Sequence, residues 1–190
     1  GKDNKALGTY STVAGGCNNT ACCNNSFVGG GYSNRACKPF SFVGGGYSNT
    51  ASGNNSFVGG GTSNRACGNC SFVGGGYCNT ASDYSTVGGG YCNTLSGNYG
   101  FIGGGLINVV CGNYGFIGGG RNNSLSGNCS FILAGCCNTA YGLINSILGG
   151  GSNYVGGAGE AFNVIAGGSQ NCANCCGCNF IGSGVCNTAQ

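Results

Sequence analysis

The chain has 190 residues, including 45 glycines and 17 cysteines, with only 5% charged residues and a formal net charge of +3. It contains no histidine, the side chain whose ordinary pKa lies nearest neutrality, and its three carboxylates are far apart in sequence, which argues against an enzyme. Its six basic residues form no run that would neutralise a phosphate backbone, and glycine triplets interrupt every apolar stretch before it could span a membrane.

A 15-residue repeat runs through almost the whole chain. Three successive copies, SFVGGGYSNRACKPF, SFVGGGYSNTASGNN and SFVGGGTSNRACGNC, begin at Ser26, Ser41 and Ser56. We number the positions of the repeat from 1 at this serine to 15. The copies are regular over 1–148, irregular over 149–178 and regular again over 179–190. Both ends fall inside a repeat, so we expect a single array that is an excerpt of a longer chain.

Each repeat predicts two short strands and two turns. Positions 3 and 11 are apolar and lie eight residues apart, so two similar half-turns would direct both into one narrow core. Three successive glycines disfavour a helix by about 1 kcal/mol each relative to alanine. We therefore predict an all-β fold, a parallel β-solenoid or β-roll with 15-residue coils and two short strands per coil. The predicted core ladder at position 3 consists of Val13, Val28, Val43, Val58, Val73, Val87, Ile102, Ile117 and Ile132.

Asparagine occupies position 9 in successive repeats. Equivalent residues of stacked coils would lie about 4.8 Å apart, close enough for a hydrogen-bonded side-chain ladder. The alternative is that asparagine occurs there because it tolerates the left-handed backbone of a turn. The members of this predicted ladder are Asn19, Asn34, Asn49, Asn64, Asn79, Asn93, Asn108, Asn123 and Asn138.

Phenylalanine dominates position 2, beside the predicted core residue. Neighbouring residues of a strand point to opposite faces, so these rings should lie on the outer surface. An apolar column of this kind exceeds what a soluble monomer usually exposes. We expect it to be buried against other copies of the chain, with glycines at positions 4–6 permitting close approach. The predicted interface contains Phe27, Phe42, Phe57, Phe72, Phe101, Phe116 and Phe131.

The repeat resembles the head repeats of trimeric autotransporter adhesins, the Yersinia-adhesin type. Their pattern, roughly S-V-A-I-G-x-x-S-x-A-x-G-x-x-S, is similar to Ser41-Phe42-Val43 followed by Gly46, Ala51, Gly53 and Ser56 over residues 1–148. The resemblance implies a left-handed β-roll, a homotrimer and an adhesive role. The repeat is one residue longer than the usual 14, and FVGGG replaces the family's VAIG. Cysteine-rich, Gly-Asn-rich repeats also resemble fibre-like proteins of large DNA viruses.

The cysteines have three alternative roles. Cys22 and Cys37 share position 12, and Cys78 and Cys92 share position 8, at a spacing that permits disulfides between coils. Alternatively, cysteine substitutes for the serine found at the same positions. The C-x2-C-C-x-C cluster at Cys172, Cys175, Cys176 and Cys178 has the thiols of a metal site but lacks the second spaced pair of a zinc ribbon. We expect neither a metal nor a cofactor.

These features predict a non-enzymatic structural subunit of an extracellular fibre or adhesin head, on a virion or a bacterial cell surface. We expect the chain to associate with itself as a homotrimer and to bind a host-surface receptor or glycan. The tyrosines at position 7 could form an external ladder that binds such a partner, or they could pack against the turn. One alternative is an ice-binding or other ligand-binding solenoid, although arginines interrupt the threonine column at position 10. Another is an end-to-end filament of single rolls.

Overall fold

The computed structural model describes residues 1–157, 162–174 and 177–189, and it confirms the predicted fold class. The described residues form a parallel β-solenoid of about 12 turns, without helices, in which each coil of about 15 residues contributes two strands of two residues. The chain divides into two compact units, Gly1–Asn93 and Thr94–Gln190. The boundary falls within a coil, between positions 9 and 10 of the repeat.

Each unit contains two parallel sheets, one built from positions 10 and 11 and the other from positions 2 and 3. In the first unit the former sheet comprises β1 (Lys5–Ala6), β3 (Thr20–Ala21), β5 (Arg35–Ala36), β7 (Thr50–Ala51), β9 (Arg65–Ala66) and β11 (Thr80–Ala81). The latter comprises β2 (Thr12–Val13), β4 (Phe27–Val28), β6 (Phe42–Val43), β8 (Phe57–Val58), β10 (Phe72–Val73) and β12 (Thr86–Val87).

The second unit repeats this arrangement. The sheet from positions 10 and 11 comprises β13 (Thr94–Leu95), β15 (Val109–Val110), β17 (Ser124–Leu125), β19 (Thr139–Ala140), β21 (Tyr154–Val155), β23 (Cys172–Ala173) and β25 (Thr188–Ala189). The other sheet comprises β14 (Phe101–Ile102), β16 (Phe116–Ile117), β18 (Phe131–Ile132), β20 (Ser146–Ile147), β22 (Val164–Ile165) and β24 (Phe180–Ile181).

Equivalent residues of successive coils lie directly over one another. Within the first unit, Phe42 pairs with Phe57 and Val43 with Val58, each 15 residues apart. Position 7 adds a third file of single-residue parallel bridges, such as Tyr32 to Tyr47, that the sequence pattern did not predict. A fourth file of backbone hydrogen bonds links position 15 to position 14 of the preceding coil, for example from Asn55 to Pro39 at 3.1 Å, and these files hold each coil to its neighbours.

The core is a narrow stack of side chains from positions 3 and 11. Every valine or isoleucine of the predicted core ladder is fully buried except Val13 in the first coil, which is half-buried. In the second unit, glycine replaces the usual serine of position 1 at Gly100 and Gly115. A Cβ on Gly115 would come within 2.6 Å of Val110 and 2.8 Å of Leu125, so the glycine leaves room for these two position-11 side chains.

The turns depend on left-handed backbone at three positions. Position 6 is glycine with positive φ, for example +86° at Gly61, and a Cβ there would overlap the carbonyl oxygen of Gly76 in the next coil. Positions 8 and 15 adopt φ near +55° with ordinary side chains, for example Ser63 and Asn55. None of the position-9 asparagines of the described coils has a positive φ, so tolerance of left-handed backbone does not explain them.

Candidate functional site

The position-2 phenylalanines form stacked columns on the outer surface of each unit. In the first unit the ring centroids of Phe27, Phe42, Phe57 and Phe72 are separated by 4.9, 4.8 and 5.0 Å. In the second unit Phe101, Phe116 and Phe131 are separated by 5.2 and 4.9 Å. We call these seven residues the Phe columns.

Each ring of the Phe columns is partly covered by its own coil. A Cβ on Gly59 would lie 3.5 Å from Cε1 of Phe57, which shows that the ring leans over the position-4 glycine. Most of the rings are half-buried, whereas Phe72 and Phe101 remain 38% exposed. The glycine run therefore has an intramolecular role, since it leaves room for the ring and supplies the turn. The outer edges of the rings stay open to solvent.

Tyrosines form shorter stacks elsewhere on the surface. At position 7, Tyr32 stacks on Tyr47 at 5.3 Å and Tyr77 on Tyr91 at 4.9 Å, with Thr62 between the two pairs. Both pairs are about half exposed. Their regular spacing suits contact with a repeating partner, although packing at the edge of the turn accounts equally for their positions.

The position-9 asparagines form a buried hydrogen-bonded ladder inside each unit. Nδ2 of Asn64 donates to the carbonyl oxygens of Gly60 at 2.9 Å and of Gly76 at 2.8 Å. Its Oδ1 accepts from the backbone nitrogen of Asn79 at 3.0 Å, while its own backbone nitrogen donates to Oδ1 of Asn49 at 2.9 Å. The Asn64 side chain thus closes its own turn and ties its coil to the next one, while the backbone nitrogen of Asn64 ties the coil to the preceding one.

A second, exposed amide ladder occupies position 14 and runs in the opposite direction. The backbone nitrogen of Asn98 donates to Oδ1 of Asn113 in the next coil, and that of Asn113 donates to Asn128, both at 2.8 Å. Pro39 interrupts the equivalent file in the first unit because it has neither a side-chain amide nor a backbone N–H. This ladder was not identified from the sequence, although asparagine recurs at position 14.

The cysteines proposed as disulfide partners are free thiols that lie close together in pairs. Burial raises the pKa of the Cys37 thiol, and neighbouring Cys22 raises that pKa further. Burial, and a hydrogen bond that the Cys92 thiol donates to Cys78, raise the pKa of Cys92 in the same way. The two thiols of each pair therefore interact with one another, and the disulfides between coils stay a prediction.

The other cysteine cluster is only partly described. Cys175 and Cys176 lie outside the described residues, so the cluster from Cys172 to Cys178 has no complete geometry. Within the described part of the chain, no group of three or more histidine, cysteine, aspartate or glutamate residues is placed to hold a metal ion.

In the coil that follows Ile144, aligning the repeat on its glycine triplet places Leu148 at position 3, which is the wrong frame. Leu148 is 44% exposed, whereas Ile147 is fully buried. The repeat pattern also did not predict that Asn153 and Asn145 belong to hydrogen-bonded ladders. The backbone nitrogen of Asn153 donates to Oδ1 of Asn138, which extends the buried ladder. Asn145 and Asn163 occupy position 1 of successive coils. They begin a further buried ladder of side-chain hydrogen bonds, because the backbone nitrogen of Asn163 donates to Oδ1 of Asn145.

No protein-family model and no curated protein matches this sequence. Among the described residues, no helix has the length and apolar character needed to cross a membrane. The function must therefore be argued from the surfaces themselves.

Proposed function

We propose that this chain is a structural subunit of an extracellular surface fibre or adhesin head, in which three copies associate side by side through the Phe columns. The observation that carries the proposal is the stack of phenylalanine rings with open outer edges, repeated at 4.8–5.2 Å within each unit. The resemblance to trimeric adhesin heads supports three-fold symmetry, and attachment to a host surface would be the role of such a head.

A second copy of the same chain is the partner that matches this surface best. Any parallel copy carries the same ring spacing, so alignment of one ring pair aligns the others. The chain has only six basic and three acidic residues, so repulsion between neighbouring copies is small. In a cyclic homotrimer the same residues of all three chains can face the three-fold axis, as this arrangement requires.

The magnitudes favour association through a whole column rather than through a single ring. Full burial of a phenylalanine side chain contributes up to about 3 kcal/mol, so covering the remaining third or so of each ring contributes about 1 kcal/mol. Association costs at least about 4 kcal/mol in translational and rotational freedom, which exceeds the contribution of one or two rings. Seven rings per chain exceed this cost, so stability should depend on the length of the column.

The test is sedimentation equilibrium of the full chain at micromolar concentration. The wild-type chain should sediment as three 18.5 kDa subunits. The double variant Phe57→Asp/Phe116→Asp places one charge in each Phe column and should sediment as a single chain with unchanged circular dichroism. The matched control Tyr47→Asp/Tyr114→Asp alters exposed aromatic residues outside the columns and should remain trimeric.

A wild-type monomer at this concentration would overturn the proposed association, as would a Phe variant that stays trimeric. Electron microscopy of native assemblies tests the role itself. Lateral bundles of three chains on particle or cell surfaces are expected, whereas filaments of single rolls joined end to end would contradict the proposal.

A further inference from the structure

Two sulfur atoms and a guanidinium group meet on the surface of the second unit. Sγ of Cys136 lies 3.1 Å from Sγ of Cys137, and Nη2 of Arg121 donates to Sγ of Cys136 at 3.4 Å. Arg121 and Cys136 occupy position 7 of successive coils and are aligned by a parallel backbone bridge. Cys137 follows at position 8, where φ is +60°. Extended neighbours would point to opposite faces, so the left-handed turn permits the two sulfurs to meet.

The two thiols are electrostatically different. The pKa of Cys136 is lowered, first because the Cys137 thiol donates a hydrogen bond to it and then because Arg121 does so. The pKa of Cys137 is raised, mainly by its hydrogen bond to Cys136 and then by burial. Cys136 therefore ionises first, while Cys137 keeps its proton. A thiolate beside a cation on an accessible surface is the environment of a reactive cysteine.

The pair is also accessible to a reagent. Cys137 is exposed and Cys136 is partly exposed. The next coil carries Gly151 and Ser152 at the same two positions, so no large side chain stands above the sulfurs. The site is therefore open on the side opposite Arg121.

We propose that Cys136 and Cys137 form a thiol–disulfide exchange site for low-molecular-weight disulfides, with Cys136 as the attacking thiolate, Arg121 as its stabilising cation and Cys137 as the resolving thiol. The Cys136 thiolate attacks one sulfur of the disulfide RS–SR, forming a Cys136–SR mixed disulfide and releasing RS⁻. Cys137 then loses its proton to solvent, and its sulfur attacks Sγ of Cys136, which releases the second RS⁻. Two protein thiols are oxidised to one disulfide, and one small disulfide is reduced to two thiols.

The test exposes the folded full-length chain to glutathione disulfide at pH 7, with quenching at timed intervals by acid. After denaturation and alkylation of the remaining thiols, chymotryptic peptides are measured by mass spectrometry. Cleavage after Phe131 and Tyr141 yields a peptide that contains only these two cysteines, and cleavage around Cys92 yields a peptide with that cysteine alone. Cys92 is the matched control because it also pairs with a neighbouring thiol, but its pKa is raised.

We expect Cys136 to react faster than Cys92, since the exchange rate rises with the thiolate fraction of the attacking thiol at this pH. The mixed disulfide should then convert to the Cys136–Cys137 disulfide. Cys137→Ser should retain the fast first step and accumulate the mixed disulfide. Arg121→Gln should slow the first step, and Arg121→Lys should restore part of the rate.

Two results would overturn the proposal. One is a Cys136 rate no greater than that of Cys92, and the other is an Arg121→Gln variant that reacts as fast as the wild type. A mixed disulfide that persists in the wild-type chain would remove the resolving role of Cys137. Circular dichroism of each variant verifies that the fold is retained.

Discussion

Replacing Asn64 by alanine tests the buried amide ladder directly. The substitution removes the two hydrogen bonds that Nδ2 donates to Gly60 and Gly76, and the two that Oδ1 accepts from the backbone nitrogen and from Nδ2 of Asn79. Four such bonds contribute about 1 kcal/mol each net, and the substitution also leaves the N–H of Asn79 buried without its acceptor. We therefore expect Asn64→Ala to lower the free energy of unfolding by about 4 kcal/mol.

The measurement is guanidinium unfolding of the reduced chain followed by circular dichroism, together with amide hydrogen exchange at Asn79. The matched control is Asn54→Ala in the exposed ladder, where Nδ2 donates a single hydrogen bond to Asn69 and the preceding residue of the file is Pro39, which has no N–H to donate. This control should cost less than about 1 kcal/mol. If both variants lose the same stability, or if exchange at Asn79 is unchanged, the reasoning about the ladder is wrong.

Further substitutions distinguish the roles of adjacent residues. Gly61→Ala should unfold its coil because φ is +86° and the new Cβ would overlap the backbone of Gly76, whereas Gly60→Ala should change the melting temperature little because the nearest heavy atom lies 3.8 Å away. Equal melting temperatures for these two variants would contradict the assignment of the turn. Val58→Ala should lower the free energy of unfolding by about 2 kcal/mol in guanidinium titrations because the side chain is fully buried, and a loss below about 0.5 kcal/mol would contradict its place in the core.

The repeat period and the alternation within strands allowed the fold class to be predicted from the sequence. Val58 and Ala66 recur as apolar residues at fixed spacing, and stacking of equal coils follows directly from such a period. Local spacing does not reveal backbone dihedral angles, so the left-handed conformations of Ser63 and Asn55 could not be foreseen. Many residue types occupy positions 8 and 15, so the identity of the residue there does not indicate a left-handed backbone.

The misassigned coil has a physical explanation. Ser146-Ile-Leu-Gly-Gly-Gly imitates Ser-Phe-Val-Gly-Gly-Gly, so alignment on the glycine triplet shifts the frame by one residue. The structure instead aligns Gly150, with φ of +90°, and Asn153, whose Nδ2 donates to the carbonyl oxygen of Gly149. The left-handed glycine and the asparagine three residues later define the coil more reliably than the triplet does.

The meeting of Cys136, Cys137 and Arg121 was also beyond sequence reasoning. Two adjacent cysteines in a strand would face opposite ways, and Arg121 lies 15 residues away from Cys136. Only the coil register together with the left-handed turn places the three groups side by side. The Phe columns were easier to anticipate, because position 2 and the buried position 3 alternate along one strand.

The coil formed by residues 71–84 has 14 residues, one fewer than its neighbours, yet Thr86 and Val87 of the following coil keep their pairing with Phe72 and Val73. The shortening falls in the second turn, where an oxygen of Asp83 accepts from the backbone of Asn69. The loss of one residue in this turn therefore leaves the register of the following strands unchanged. Variation in repeat length is tolerated at this corner of the coil, while the stacked core stays aligned.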